Sequence, residues 1–336
     1  MIRLDSNKIK VPLEAFNYID LSKAEQPVQT VLKHLDSNKI TDKAIITNID
    51  NGYNYFEVNN IKNQVIIGTS AKLLKDGYSK GISINTFERF VDEINRPFMS
   101  IEPDVLLENA EFCSIDVTDN LELSNYNKAV SSVIQIGSMN LRYTIKPYNN
   151  NGKIGYEAKR NVESYKERQI GYNKLKELAK HKNRSFNHAY QIHKQFTPNT
   201  LRVETNLTSL KRIKDRLKVI NTKMSSVLNS KATVNYSIFQ RIMKSGRQMD
   251  LFNSYYDQMS WKQIVEVKGY QGILFSANGS PAKVEKFIKL KHPRSKGTGA
   301  YYQIKKFRCW YANYIKHDLK MVNKYVNEIY ELLKAA

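Results

Sequence analysis

Hydrophobic residues recur along this chain at two different intervals. Val28, Val31, Leu32 and Leu35 follow helical spacing and predict a helix over 25–36, and Phe87, Phe90, Val91 and Ile94 predict another over 85–95. Between them lie β-rich runs at 43–48, 52–58 and 63–68, divided by Asn-Gly and Asn/Lys turns. Glu111–Thr118 reads as a strand. Tyr126, Ala129, Val130, Val133 and Ile134 then fall at i, i+3, i+4, i+7 and i+8, the stripe of a helix over 125–137. Strands are predicted at 141–147, 153–159 and 165–171, with a turn at 149–152, followed by a helix over 173–194 and a strand over 200–207. From Leu210 onward the pattern is mainly helical. It ends in a helix near 312–334 with Ile315, Leu319, Val322, Val326, Ile329 and Leu333 on one stripe. Residues 293–299 read as an exposed basic loop, and neither an internal repeat nor a long low-complexity linker is visible.

Strand, helix, several strands, helix, strand is the order of an α+β fold in which an antiparallel sheet carries helices on one face. The change of pattern divides the chain into an N-terminal α+β region (1–110), a core (111–210) and a basic, mainly helical region (211–336).

Charge sharpens that division. Residues 1–150 carry 16 basic and 19 acidic side chains, whereas 151–336 carry 37 and 13, a net +24. A polyanion is the expected partner of the second half, nucleic acid first. A membrane surface would call for a Lys-rich helix with a strongly apolar face, and here the positive charge is scattered over many elements. In Tyr301–Tyr311, Lys305, Lys306 and Arg308 interleave with aromatic residues. This suits phosphate contact with base stacking, and equally a helix with a solvated basic face and a buried aromatic one.

Other classes are disfavoured. The longest stretch without a charged residue has 14 positions, too few for a spanning helix. The N-terminus has no secretory apolar run, and Cys113 and Cys309 form neither a disulfide framework nor a zinc cluster, so a reducing cytoplasm is expected. No Gly-x-x-x-x-Gly-Lys-Ser/Thr loop, no Gly-x-Ser-x-Gly elbow and no histidine pair at metal-binding spacing occurs. A small-molecule cofactor other than a metal ion is not expected.

Two acids interrupt apolar β-runs. Alternation puts Cys113, Ile115 and Val117 on one face and Ser114, Asp116 and Thr118 on the other. In the later run Leu201, Val203 and Leu207 oppose Arg202, Glu204 and Asn206. If the strands are neighbours, Asp116 and Glu204 share a polar face. They are then hard oxygen ligands for Mg²⁺ or Mn²⁺, or carboxylates on a solvated face, or partners of Arg202 and Arg142. Between them, Tyr172 falls where a strand gives way to a helix, followed by Lys174, Lys176 and Glu177. A tyrosine hydroxyl is a poor nucleophile at its free pKa of ~10 and needs cations nearby, and composition does not choose Tyr172 among 21 tyrosines.

Taken in order, Ser114–Thr118, Tyr172–Leu178 and Leu201–Leu207 resemble the gene II/X family of phage and plasmid replication proteins, the rolling-circle initiators of filamentous phages. They resemble the Rep-trans plasmid initiators more distantly. The pattern there is Arg-Ile-Asp, then Tyr-x-Lys-x-x-Glu-Leu, then Arg-Phe-Glu. Val65–Tyr78 also looks like an upstream segment of that family, so the resemblance covers roughly residues 60–215. Ser114 and Val203 replace the usual Arg and aromatic residue, and Asp76-Gly77-Tyr78 stands for Gly-His-Asn.

The resemblance implies an initiator-like catalytic core that nicks one strand at a replication origin. A tyrosine would form a 5′-phosphotyrosine and leave a 3′-OH primer, and the strand would later be rejoined. By position Tyr172 would be the nucleophile, Lys174 a phosphate contact, and Asp116 and Glu204 ligands of Mg²⁺ or Mn²⁺. Glu177 would be either a further ligand or a helix-surface acid. Arg202, Lys211, Arg212, Lys214 and Arg216 read as DNA contacts, with Lys305, Lys306 and Arg308. Implied partners are duplex origin DNA, the displaced single strand, and a bacterial host's helicase and polymerase, in the host cytoplasm. The competing reading is a non-catalytic origin- or operator-binding protein, for which Tyr172→Phe changes nothing.

Overall fold

The computed structural model describes residues 1–34, 40–137, 142–148, 155–160, 167–247, 280–291 and 299–336, together with Glu266, Gly269, Tyr270, Ile273, Leu274 and Ala277. The predicted turn at 149–152 and most of the basic loop at 293–299 lie outside them. Twelve strands are described. The N-terminal ones are β1 (Leu4–Pro12), β2 (Tyr18–Ile19), β3 (Gln29–His34), β4 (Ile40–Asp50), β5 (Tyr53–Asn59), β6 (Gln64–Ser70) and β7 (Met99–Ser100). The rest are β8 (Glu111–Glu122), β9 (Tyr143–Tyr148), β10 (Gly155–Arg160), β11 (Arg168–Asn173) and β12 (Thr200–Leu207). β2 and β7 form a small ribbon. The other ten form one antiparallel sheet in the order β3-β4-β5-β6-β1-β8-β12-β11-β10-β9.

That order contains a topological duplication. Each half begins with a central strand, β1 or β8. The chain then passes to the outer edge and winds back inward strand by strand, β3 to β6 or β9 to β12, until it lies beside the strand it left. β1 and β8 pair antiparallel and join the halves.

Strand periodicity separates the two faces. On β1, Leu4, Ile9 and Val11 are buried while Ser6, Lys8 and Lys10 point the other way; on β12, Leu201, Val203 and Leu207 lie beneath helices. The helices are α1 (Phe87–Ile94), α2 (Pro103–Asn109), α3 (Tyr126–Gly137), α4 (Lys174–Leu178), α5 (Arg184–Tyr190), α6 (Leu210–Leu217), α7 (Met224–Leu228), α8 (Val234–Arg247), α9 (Pro281–Lys291) and α10 (Gly299–Ala335). Helices α3, α6, α8 and α10 pack on the second half of the sheet. Tyr126, Ala129, Val130 and Val133 are the buried stripe of α3, and Asn125 caps it by accepting from the Lys128 amide at 3.0 Å. Asn235, fully buried at the start of α8, donates to the Val203 and Val117 carbonyls and to Asp119, and accepts from Thr205 at 2.6 Å. It fixes α8 across β8 and β12. The fold is thus the expected α+β architecture, an antiparallel sheet with helices on one face. Among the described residues no helix is long and apolar enough to cross a membrane.

Three expectations need correction. Residues 29–34 form edge strand β3, paired with β4, rather than a helix. The apolar spacing is helical, with Val31 and Leu32 adjacent rather than alternating, and the ladder to β4, a pairing that local spacing does not report, overrides it. The single helix over 173–194 is broken into α4, α5 and 3-10 turns, with Gln191 in the left-handed region at φ 50°. On β8 a bulge lies between the Lys8–Ser114 and Ile9–Phe112 pairs. It places Phe112 in the core and leaves Cys113 half-buried.

Candidate active site

Three cross-strand rows build the site on the polar face. Tyr172 stands opposite Arg202, which stands opposite Asn120; two residues along, Ile170, Glu204 and Thr118 align; two further along, Arg168, Asn206 and Asp116 align, with Ser6 of β1 beyond. Directly opposed residues of an antiparallel ladder share a face, so Asp116 and Glu204 do lie on one face of neighbouring strands. β1 carries an extra residue relative to β8 between Leu4 and Ser6. This is Asp5, whose carboxylate meets Arg202 of that same face at 2.6 Å.

Tyr172 lies at the end of β11, where the chain turns into α4. Asn173 makes the transition: its side chain accepts from the Lys176 amide at 2.9 Å as the helix cap and donates to the Pro198 carbonyl at 2.6 Å. The Tyr172 hydroxyl donates to Glu204 Oε1 at 2.5 Å, and Lys174 Nζ lies 3.3 Å from the same hydroxyl oxygen. Lys174 also pairs with Glu177 at 3.2 Å. Asn183 donates to Glu177 Oε1 at 2.7 Å and accepts from Lys72 at 2.9 Å. Arg202, only 1% exposed, donates from Nε to Asn120 at 2.8 Å and from one terminal nitrogen to Asp5 and to the Tyr78 hydroxyl at 2.9 Å. Both Lys174 and Arg202 lie over the Tyr78 ring, at 4.9 Å and 4.8 Å from its centroid. The Tyr148 ring flanks Tyr172 at 5.7 Å.

Burial governs the electrostatics. It raises the Glu204 carboxyl, with help from the Asp5 charge, to about 7. It raises the Tyr172 phenol well above its usual value, with Glu204 adding to the effect. Burial and the Arg202 charge together lower the Lys174 ammonium. Asp116 is raised by burial and by Asp5, against hydrogen bonds from Ser6 and Asn206. In Asp5 burial is outweighed by Arg202 and Lys174, and the net direction is downward. Glu177 follows the same logic, with Lys174 and Asn183 winning over burial.

Among the described residues, no three or more His, Cys, Asp or Glu side chains converge to hold a metal ion. What the site offers is a pair of hard oxygen donors, Asp116 and Glu204, on adjacent strands of one face. Mg²⁺ is commonly held by one or two carboxylates and completed by substrate phosphate oxygens. Carboxylates are the donor type such an ion takes; here both Asp116 oxygens accept from Ser6 and Asn206, and Glu204 Oε1 accepts from Tyr172. Glu177 is turned to Lys174 and Asn183 instead.

The expected DNA contacts divide. Lys211 and Lys214 are exposed on α6, whereas Arg212 and Arg216 lie on its buried side, Arg216 against Glu167. On α10, Lys305 is exposed, Lys306 meets Glu266 at 3.3 Å and Arg308 grips Glu285 at 2.6 and 2.8 Å. Ile304, Phe307, Trp310 and Tyr311 are buried there while Tyr301 and Tyr302 are exposed, so this segment has a basic outer face and an aromatic inner one.

The sequence reading missed Asp5, Lys72 and Tyr78 as members of this cluster. Lys72 and Tyr78 belong to the 3-10 segment Ala71–Lys80, which follows β6 and meets α5 through Tyr78–Phe186 edge contact.

No family model matches the sequence, and no curated protein matches it. Among solved structures, the "Rolling Circle Replication Initiator Protein from Geobacillus stearothermophilus" aligns over 78% of this chain and 91% of that one, at 10% identity and a TM-score of 0.25. At that score a shared fold is not demonstrated.

Proposed function

We propose that this chain is a rolling-circle-type replication initiator that nicks one strand of origin DNA with Tyr172. The observation that carries the reading is the hydroxyl of Tyr172 held between the Glu204 carboxylate at 2.5 Å and the Lys174 ammonium at 3.3 Å. A phenol needs its proton removed as it attacks and positive charge beside the new oxyanion. The pair supplies both. The resemblance of the Asp116, Tyr172–Glu177 and Glu204 segments to rolling-circle initiators supports the same assignment.

In the proposed step the Tyr172 oxygen attacks a backbone phosphorus and passes its proton to Glu204. The bond from phosphorus to the 3′ oxygen breaks, and that oxygen takes a proton from water. The products are a 5′-phosphotyrosine and a free 3′-OH. Lys174 stabilises the charge that develops on the phosphate. Arg202 reaches to 4.0 Å from Glu204 Oε1 and acts on the site through its other partners. It neutralises Asp5 and holds Tyr78 and Asn120, keeping the rows of β8 and β12 in place. Mg²⁺ or Mn²⁺ would be held by Asp116 and the other oxygen of Glu204, leaving Oε1 for the tyrosine proton, and would polarise the phosphate. The proposed setting is the cytoplasm of a bacterial host, on duplex origin DNA and its displaced strand, with host helicase and polymerase.

A second reading rests on the 5% exposure of Tyr172: an origin-binding protein in which this cluster is structural. Supercoiled DNA carrying the region around the chain's own coding sequence separates the two. The enzyme yields open circles with Mg²⁺ or Mn²⁺, lost in Tyr172→Phe and with chelator; the binding protein shifts the DNA and never cuts it.

A further inference from the structure

Ile220 is the most exposed large hydrophobic residue described, at 95%. Lone exposed apolar side chains are ordinary, but this one is presented on a fixed support. The loop that carries it, residues 218–223, joins α6 to α7. Its first residue, Lys218, caps α6 in the left-handed region at φ 56°, and the Val219 amide donates to the Lys214 carbonyl at 3.2 Å. At the other end the Thr222 carbonyl accepts from the Phe112 amide at 2.9 Å, Lys223 bridges to Glu111, and the Met224 amide donates to the Ala110 carbonyl at 2.8 Å. Thr222 is buried. Both ends of the loop are therefore tied to the start of β8 and the end of α6, and Ile220 is held out at the apex.

The segment itself is cationic, while Glu111 of β8 stands beside Lys223 and acid-bearing α2 packs on α7. Lys211, Lys214, Lys218, Lys223 and Lys231 are all exposed on this segment, against the single acid Asp215. Beside the loop is an open cavity of about 550 Å³ lined by Lys218, Ser226, Asn229, Ser230, Lys231 and Thr233, among others, with no carboxylate among its described lining residues. Hydroxyls, amides and ammonium groups without acids suit a phosphate backbone. An aliphatic side chain rigidly projected from such a surface is the device by which DNA-bending proteins part stacked base pairs.

We infer that the 218–223 loop is a duplex-DNA wedge: the lysines and the neighbouring cavity seat the backbone, and Ile220 enters between base pairs. The choice of DNA as partner rests on the initiator reading, but the wedge does not depend on the chemistry of Tyr172. The two are separate places. Tyr172 shares a row with Asn120, and the loop joins β8 at Phe112, eight residues along the same strand, about 26 Å away at ~3.3 Å per residue.

The test uses the full-length chain and a short duplex that it selects from a randomised pool, with 2-aminopurine scanned through the site to report unstacking. Wild type is expected to raise the fluorescence at one step. Ile220→Ser is expected to abolish that rise and weaken duplex binding about tenfold, while binding to a single strand of the same sequence is unchanged. Lys218→Ala with Lys223→Ala is expected to weaken binding to both and to flatten its salt dependence. Unaltered duplex affinity and fluorescence in Ile220→Ser overturns the wedge. So does a change of oligomeric state in Ile220→Ser with DNA binding intact, which assigns the loop to protein contact. If wild type never nicks DNA but the fluorescence rise depends on Ile220, the nicking proposal falls and the wedge stands.

Discussion

Tyr172 and Glu204 belong to neighbouring strands but not to one cross-strand pair: Glu204 faces Ile170, and the Tyr172 hydroxyl reaches it diagonally at 2.5 Å. Tyr172 and Glu204 are diagonal neighbours on one face of the ladder, within reach of a long aromatic side chain. The contact makes Glu204 the acceptor for the phenol proton. Glu204→Gln keeps the shape and removes the base, so nicking is expected to fall by roughly 10²–10⁴-fold with DNA affinity retained, measured as the rate of open-circle formation.

The same substitution should alter stability in a pH-dependent way. In the folded protein the Glu204 carboxyl is raised from 4.5 to about 7, chiefly by burial. Between those values the folded chain holds a proton that the unfolded chain has released, so wild type loses stability as pH rises through that window. Glu204→Gln has no proton to lose. Its melting temperature in chelator-containing buffer should therefore gain on wild type from pH 4.5 to about 7 and keep that advantage above. A difference that is constant with pH would contradict the assignment.

Arg202 tests the scaffold rather than the chemistry. Its guanidinium serves Asn120, Asp5 and Tyr78 at once while almost fully buried. Arg202→Met leaves the partly buried Asp5 without its partner and should cost about 1–3 kcal/mol in denaturant unfolding. Arg202→Lys keeps the charge but loses the fork, and should recover only part of that.

Gly171 is set by close approach. A Cβ there would lie 2.2 Å from the Tyr156 ring on β10. Gly171→Ala should push β11 from β10 next to Tyr172, costing about 1–3 kcal/mol and lowering nicking more than DNA binding. Thermal unfolding and cleavage assays on the same preparation read both effects.

Exposed lysines of α6 should act through phosphates. Replacing Lys211 and Lys214 by alanine should weaken binding to every DNA sequence alike and reduce the slope of log affinity against log salt by about 1 for each lysine. A loss confined to one sequence would make them base readers.

Much of this was legible in the sequence because strand alternation is a local property. The acid-bearing runs around Asp116 and Glu204 announce a polar face, and the stripes of α1 and α3 announce helices. The pairing of β8 with β12 brings the two acids onto one face as the alternation allowed. What was hidden depends on partners distant in sequence. Asp5 enters through a bulge on β1, and bulges carry no periodic signal. Lys72 and Tyr78 arrive because the first half of the sheet lies beside the second, a duplication of topology that the sequence does not repeat. On α6, Arg212 and Arg216 looked like their lysine neighbours, and only packing shows that they face inward. Residues 28–35 carry helical spacing, and edge strand β3 forms there because pairing with β4, a contact between separate segments, overrides the local pattern.

The most direct measurement of the central claim is covalent. Wild type and Tyr172→Phe would be incubated with supercoiled DNA bearing the region around the coding sequence and with Mg²⁺ or Mn²⁺. Each sample is then denatured and digested, and DNA-linked peptides are read by mass spectrometry. The account predicts one nucleotide-bearing peptide, modified at Tyr172 through a 5′ phosphate, absent from Tyr172→Phe and from chelator-treated samples. An adduct on another residue, or nicking that survives in Tyr172→Phe, would contradict it.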